Sequence, residues 1–132
     1  MAAPAAVATW HEIVRTGDRE LLQSLLTDDV VFRSPAVHTP QAGRALTTMY
    51  LEAALVVLGP NLQYHREWFG TDSAVLEFTT VLDDIEVHGV DMMTWGDDDR
   101  LVDFAVMVRP QKGLAKVIER MGAEIAGQSS SA

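Results

Sequence analysis

The sequence predicts an α+β fold, with helices gathered on one face of a curling, mostly antiparallel sheet. Two observations carry this. In the first half of the chain, apolar residues recur at the three- and four-residue spacing of helices, interrupted by one β-branched run. Between residues 62 and 109, apolar and polar residues alternate in four runs separated by short turns rich in Gly, Asp and Ser.

The elements follow in order. Residues 5–15 form a short helix ended by Gly17. Asp18 caps a second helix over residues 19–26, because its side chain can accept from the free N–H groups of the first turn. Leu21, Leu22, Leu25 and Leu26 give that helix one apolar face. Val30, Val31 and Phe32 read as a strand, and Pro35 and Pro40 bracket a loop that carries His38. A longer helix over residues 43–58 is stopped by Gly59, Pro60 and Asn61. Four strands follow, over residues 62–69, 74–82, 85–95 and 101–109, the last two joined by a tight turn at Gly96, Asp97, Asp98 and Asp99. Pro110 suits the first turn of a final helix whose apolar face is Leu114, Val117, Ile118, Met121 and Ile125. The chain of 132 residues suits one domain over residues 1–126, with residues 127–132 as a disordered polar tail.

Composition narrows the function. Ten Lys and Arg against 19 Asp and Glu give a formal charge of −9. That argues against nucleic acid, whose phosphates demand clustered cations, and disfavours anionic membranes. The absence of cysteine excludes disulfides, thiol nucleophiles and Cys-type zinc sites. The apolar start has no basic residue and is too short for a signal peptide, and no run is long enough to span a bilayer, so a cytoplasmic location is expected. There is no Gly-rich phosphate loop, Walker motif or nucleophile elbow, so no cofactor is expected. His11 and Glu12 resemble the start of a zinc-protease motif, but Arg15 replaces its second His. The acids at 97–99 read as a solvated turn, since consecutive side chains cannot converge on one cation, and no metal site is expected.

One residue interrupts the pattern. Strand alternation places Asp91, Met93 and Trp95 on one face, joined by Phe104, Val106 and Val108 if the last hairpin pairs symmetrically. That face is apolar apart from Asp91. An apolar wall raises a carboxyl pKa by desolvating the ionised form, which suits an acid, base or hydrogen-bond donor near neutral pH. The alternative is a structural pair with Arg66 or His65. Glu77 joins Asp91 as a carboxylate pair if its face lines the same cavity, and otherwise sits on a wet rim. His65 and Glu67 share a strand face in regular alternation, which suits a base and its orienting carboxylate, and His38 lies at a plausible cavity mouth. His88 should point away from Asp91. Tyr50, Tyr64, Trp68 and Met49 read as core or cavity wall. Val90, Met92, Ala105 and Met107 make the opposite sheet face apolar too, and a homodimer is the simplest cover.

Several short motifs together resemble the NTF2-like superfamily, near its SnoaL-like polyketide-cyclase branch. They are Gly17-Asp18, the run from Leu25 to Phe32, Gly43-Arg44, Gly89-Val90-Asp91, and Val106 to Pro110. They span about residues 8 to 122 in the right order. The resemblance implies a cone: a curved sheet wrapped around helices, enclosing an apolar cavity, usually in a dimer. Members include ketosteroid isomerase, scytalone dehydratase, limonene epoxide hydrolase, polyketide cyclases and non-catalytic binders, so fold alone does not settle activity. By this resemblance Ser34 stands where ketosteroid isomerase has its proton-shuttling Asp, and Trp10 where it has its oxyanion-hole Tyr. Asp91 stands where it has its second, protonated Asp, and resembles the cavity acid/base of the cyclases.

The expectation is therefore a hydrophobic, oxygenated small molecule bound by Trp10, Phe32, Ser34, Tyr50, Glu77, Met93, Trp95, Phe104 and Val106. Asp91, with His38 and His65, is the candidate acid/base set of a cofactor-independent cyclase, isomerase, dehydratase or hydrolase. A non-catalytic binder and a dimeric interaction module are the alternatives.

Overall fold

The computed structural model describes residues 2–130, with the backbone alone at Ser129 and Ser130. Helices α1 (Ala5–Thr16) and α2 (Arg19–Leu25) lead directly into strand β1 (Leu26–Arg33). A short β2 (Gln41–Ala42) precedes α3 (Arg44–Leu58) and a 3-10 turn at Gly59–Asn61. The meander β3 (Gln63–Phe69), β4 (Ser73–Leu82), β5 (Ile85–Trp95) and β6 (Leu101–Arg109) ends in α4 (Gln111–Ser130). The result is an α+β fold with one mixed, curved sheet of order β2-β1-β6-β5-β4-β3. Every pairing is antiparallel except β1 with β6. No helix among the described residues is long and apolar enough to cross a membrane.

Local chemistry sets the joints. Gly17 ends α1 at φ +71°, a left-handed conformation that costs glycine little, and its N–H donates to Ile13 O at 2.7 Å. Asp18 Oδ1 accepts from Leu21 N at 3.1 Å and so caps α2. Asp83 and Asp84 both have positive φ, as a two-residue hairpin turn matched to strand twist requires. The exposed turn at Gly96 closes through Asp99 N to Gly96 O at 3.0 Å, with Asp98 held by Arg100 at 2.9 Å.

Three features depart from the sequence-based expectation. First, β1 starts at Leu26, because Leu26 is already extended where it caps α2; a register shift against β6 then absorbs Asp28 and Asp29. Second, α4 continues as helix through Ser130, where a disordered tail from residue 127 is expected; Ser131 and Ala132 lie outside the described residues. Gln128 lines a cleft with Arg15, Arg19 and Glu52, so the end of α4 still has protein beside it. Third, β3 carries a bulge between Tyr64 and Glu67. Tyr64 opposes Phe78 and Glu67 opposes Leu76, so the bulge holds both on the inner face despite their odd separation.

The inner face carries two packed clusters. One joins Trp10, Ile13 and Leu22 from α1 and α2 to Phe32, Met93, Trp95 and Phe104. The other joins Val57, Phe78, Leu82, Val87 and Val117. Gly89 lies at the seam, opposite Phe78 on β4 and Val108 on β6. A Cβ on Gly89 would sit 2.5 Å from Met107 O and 2.7 Å from Phe78 Cζ, so the Phe78 ring occupies the place a side chain would take. Gly89→Ala is therefore predicted to destabilise the fold by about 2–3 kcal/mol, because neither a strand backbone nor a core ring can retreat cheaply. Urea unfolding of the variant beside wild type measures this, and an unchanged midpoint contradicts the packing described.

Candidate functional site

Between the two clusters lies a cavity of about 230 Å³. One wall is aromatic. Trp10 meets Phe104 edge-on with ring centroids 4.9 Å apart, and Phe32 stacks on Tyr50 at 5.6 Å. The opposite wall is α4, through Val117, Ile118, Met121 and Ile125, the apolar face legible in the sequence but not assigned there to a cavity. The segment from Ser34 to Val37 also lines it.

Asp91 and Tyr64 bring polar side chains into this apolar lining. Asp91 lies on β5 opposite Leu76 and Val106 and is 6% exposed. The Tyr64 hydroxyl donates to Asp91 Oδ2 at 2.5 Å, and Trp10 Nε1 donates to the Tyr64 hydroxyl at 2.9 Å. Among the described residues the carboxyl has no other hydrogen-bond partner, so Oδ1 is left for an occupant of the cavity. Burial pushes the Asp91 carboxyl up to about 7, against the smaller opposing pull of the Tyr64 hydrogen bond. Burial, then the neighbouring Asp91 charge, push the Tyr64 phenol well above its ordinary value, so it stays protonated at neutral pH. A carboxyl poised near 7 beside one apolar volume can give or take a proton at a bound molecule.

The sequence reads Asp91, Trp10, Phe32, Ser34, Tyr50, Phe104 and Val106 into the cavity, and all seven line it. Five other candidates fall elsewhere. Met93 and Trp95 share the face of Asp91, but α1 and α2 close over that end of the sheet, and both are packed into the first cluster. Glu77 opposes Val90, not Asp91, so alternation turns it to the outer face. There the Arg66 fork holds it at 2.7 and 2.8 Å, and His88 Nε2 lies 2.8 Å away. The Arg66 hydrogen bonds, with help from His88, keep the Glu77 carboxyl far below the usual range. His65 is exposed and bonds Thr79 Oγ1 at 2.6 Å, because the β3 bulge separates it from Glu67. Glu67 pairs instead with His11 at 2.5 Å. His38 is exposed on its loop, next to Val37 but outside the lining.

Neither Arg66 nor His65 pairs with Asp91. Its partner is Tyr64, which the sequence presents only as a wall aromatic. A tyrosine among apolar strand residues is the available signal, since a buried phenol needs a partner for its hydroxyl. Ser34 Oγ accepts from Ala36 N at 3.0 Å, which ties this hydroxyl into its own turn. No group of three or more His, Cys, Asp or Glu among the described residues is placed to hold a metal.

No protein-family model matches the chain, and no curated protein is similar enough to count as a relative. Solved structures are more informative. A steroid Δ-isomerase from Pseudomonas aeruginosa is 40% identical, with a TM-score of 0.90 over 96% of this chain and 93% of that one. A Silicibacter pomeroyi protein with a cystatin-like fold is 28% identical, with a TM-score of 0.83 over 90% of this chain and 84% of that one. An NTF2-like protein from Mesorhizobium loti is 18% identical, with a TM-score of 0.69 over 80% of this chain and 88% of that one, and supports the fold alone. With identity of 40% sustained along nearly the whole of both chains, and a curved sheet and helices around an apolar cavity, this protein belongs to the NTF2-like superfamily, on its SnoaL-like, ketosteroid-isomerase-like branch.

Proposed function

We propose that this protein binds a hydrophobic, oxygenated small molecule in the cavity and acts on it as a cofactor-independent acid/base enzyme, with Asp91 as the group that moves the proton. The observation that carries this reading is the Asp91 carboxyl itself: buried, held by one hydrogen bond and poised near neutrality beside an apolar volume. Protonated, it can donate to a carbonyl or ether oxygen; ionised, it can accept a proton from a carbon or hydroxyl next to such a group. The aromatic wall and α4 supply burial for the rest of the ligand and exclude water from the exchange. The similarity to a steroid Δ-isomerase favours a proton shift over hydrolysis.

Ser34 supports a second reading. The resemblance places it where the isomerases carry their shuttling Asp, and a serine hydroxyl cannot remove a carbon-bound proton unaided. A non-catalytic binder of the same ligand class needs only the cavity and one hydrogen-bonding carboxyl.

Met107 is 59% exposed and Trp68 49% exposed on the outer sheet face, alongside Val90 and Met92. A second copy of the chain would cover them, and the homodimer is part of the reading proposed here.

Three outcomes are predicted. Screening steroids, terpene epoxides and aromatic polyketide-like compounds by thermal shift should find a stabilising ligand. Asp91→Asn should keep its affinity within several-fold while kcat falls about 10²–10⁴-fold, the usual weight of one general acid or base. Binding without turnover in either form selects the binder instead.

The second prediction concerns pH. Below 3.8, the carboxyl's ordinary value, folded and unfolded chains both hold the proton and Asp91 costs nothing. From there to about 7 the unfolded chain ionises while the folded one does not, so stability falls as pH rises. Asn is spared this loss. The stability of Asp91→Asn relative to wild type should therefore grow by about 2–3 kcal/mol between pH 5 and 8, read by urea unfolding at both pH values. A flat difference contradicts the raised carboxyl.

Third, light scattering should give twice the chain mass for wild type and the single-chain mass for Met107→Glu, whose charge would face its own copy. A monomeric wild type removes the dimer from the proposal.

A further inference from the structure

The hydrogen bonds around Asp91 have a fixed direction. An indole N–H can only donate, so the Trp10 contact at 2.9 Å occupies one acceptor position on the Tyr64 oxygen. Tyr64 is left with its own proton to place, and Asp91 Oδ2 at 2.5 Å receives it. The chain therefore runs one way, from Trp10 through Tyr64 to Asp91.

The direction matters when Asp91 takes up a proton. A proton on Oδ2 makes that oxygen a hydroxyl, a poor acceptor for the Tyr64 proton, unless it is donated to Tyr64 instead. The Tyr64 oxygen would then accept from both Trp10 and Asp91, and its own hydrogen would lose the acceptor that Asp91 gives it. Leaving a buried donor unmatched is costly. A proton on Oδ1 keeps both existing hydrogen bonds and lies on the oxygen that no described residue engages.

We propose that Trp10 is a positioning residue: by donating to Tyr64, its indole confines the transferable proton of Asp91 to Oδ1, the oxygen open to a ligand. This rests on the reading of Asp91 as the acid/base group. It gives Trp10 a role separate from its packing against Phe104, which any ring of similar size would serve.

The test titrates Asp91 by carbon NMR in ligand-free protein labelled at the aspartate side chains, using wild type, Trp10→Phe, Tyr64→Phe and the double variant. Asp91→Asn identifies the resonance. Without the indole donor, Tyr64 donates less strongly to the ionised carboxyl and is free to accept from the protonated one. Both changes favour protonation. Trp10→Phe should raise the Asp91 midpoint by about half a pH unit or more, roughly a threefold change in its ionisation constant. In the Tyr64→Phe background the same substitution should shift it little, because the intermediary is gone.

A protein carrying benzothienylalanine at position 10, which keeps the indole shape but has sulfur in place of N–H, should repeat the Trp10→Phe shift. It carries the test alone if Trp10→Phe does not fold. An unchanged midpoint, or an equal shift with and without the Tyr64 hydroxyl, overturns the proposal and leaves Trp10 as packing. The titration uses no substrate. Absence of turnover would therefore count against Asp91 as an enzyme's acid/base group without touching this result.

Discussion

The candidate site depends on keeping one carboxyl in an apolar interior without an opposing charge. A buried carboxylate normally recruits a cation, and the cation then holds it ionised and inert. Asp91 has a phenol instead. The phenol satisfies one oxygen but only partly offsets the cost of desolvation, so the carboxyl remains titratable near neutrality. The apolar clusters on either side, the aromatic wall and the α4 face of the cavity all maintain this condition by surrounding the carboxyl with apolar side chains.

Glu77 shows the opposite outcome one strand away. It and Asp91 lie on neighbouring strands, yet they face opposite sides of the sheet because Glu77 opposes Val90 while Asp91 opposes Leu76. On the outer face Arg66 and His88 hold Glu77, and His88 in turn contacts Arg109. Arg109 can only donate to His88 Nδ1, at 3.2 Å, so Nε2 carries the hydrogen that goes to Glu77. Two carboxylates of similar intrinsic chemistry are thus separated into one locked in an ionic chain and one raised toward neutrality. The pleat alone does the sorting.

Much of this was legible in the sequence because it is local. Alternation placed Asp91 on one face with Phe104 and Val106, and that face survives although a register shift between Thr94 and Trp95 moves the pairing off symmetry about the acidic turn, to Asp91 with Val106 and Met93 with Phe104. The bounds of β5 and β6 needed nothing more than the pattern between Ile85 and Arg109. The site was less legible where geometry interrupts the pattern. The bulge in β3 breaks the period of two and parts His65 from Glu67, and no residue type announces it. Met93 and Trp95 sit on the correct face but under the wrong helices, a fact of tertiary packing that strand periodicity cannot carry. Tyr64 is a common strand residue, and its role appears only when the reach of its hydroxyl to another strand is known.

The parallel contact of β1 with β6 has a consequence for the order of assembly. Val31 pairs with Asp103 and Phe32 with Phe104, so an early strand closes on the last one across the whole meander. The hairpins from β3 to β6 join near neighbours along the chain, whereas this closure carries the entropy of a long loop and is predicted to come late. The Tyr64–Asp91 pair lies wholly within the meander, but Phe32 and Ser34, on β1 and just after it, reach the cavity only with this closure. During refolding the carboxyl is thus ringed on one side before the other exists, an interval that pulsed amide exchange would record as protection in β4 and β5 ahead of β1. For that interval the future cavity is an open, wet groove, and the neutral-range carboxyl belongs to the finished molecule alone.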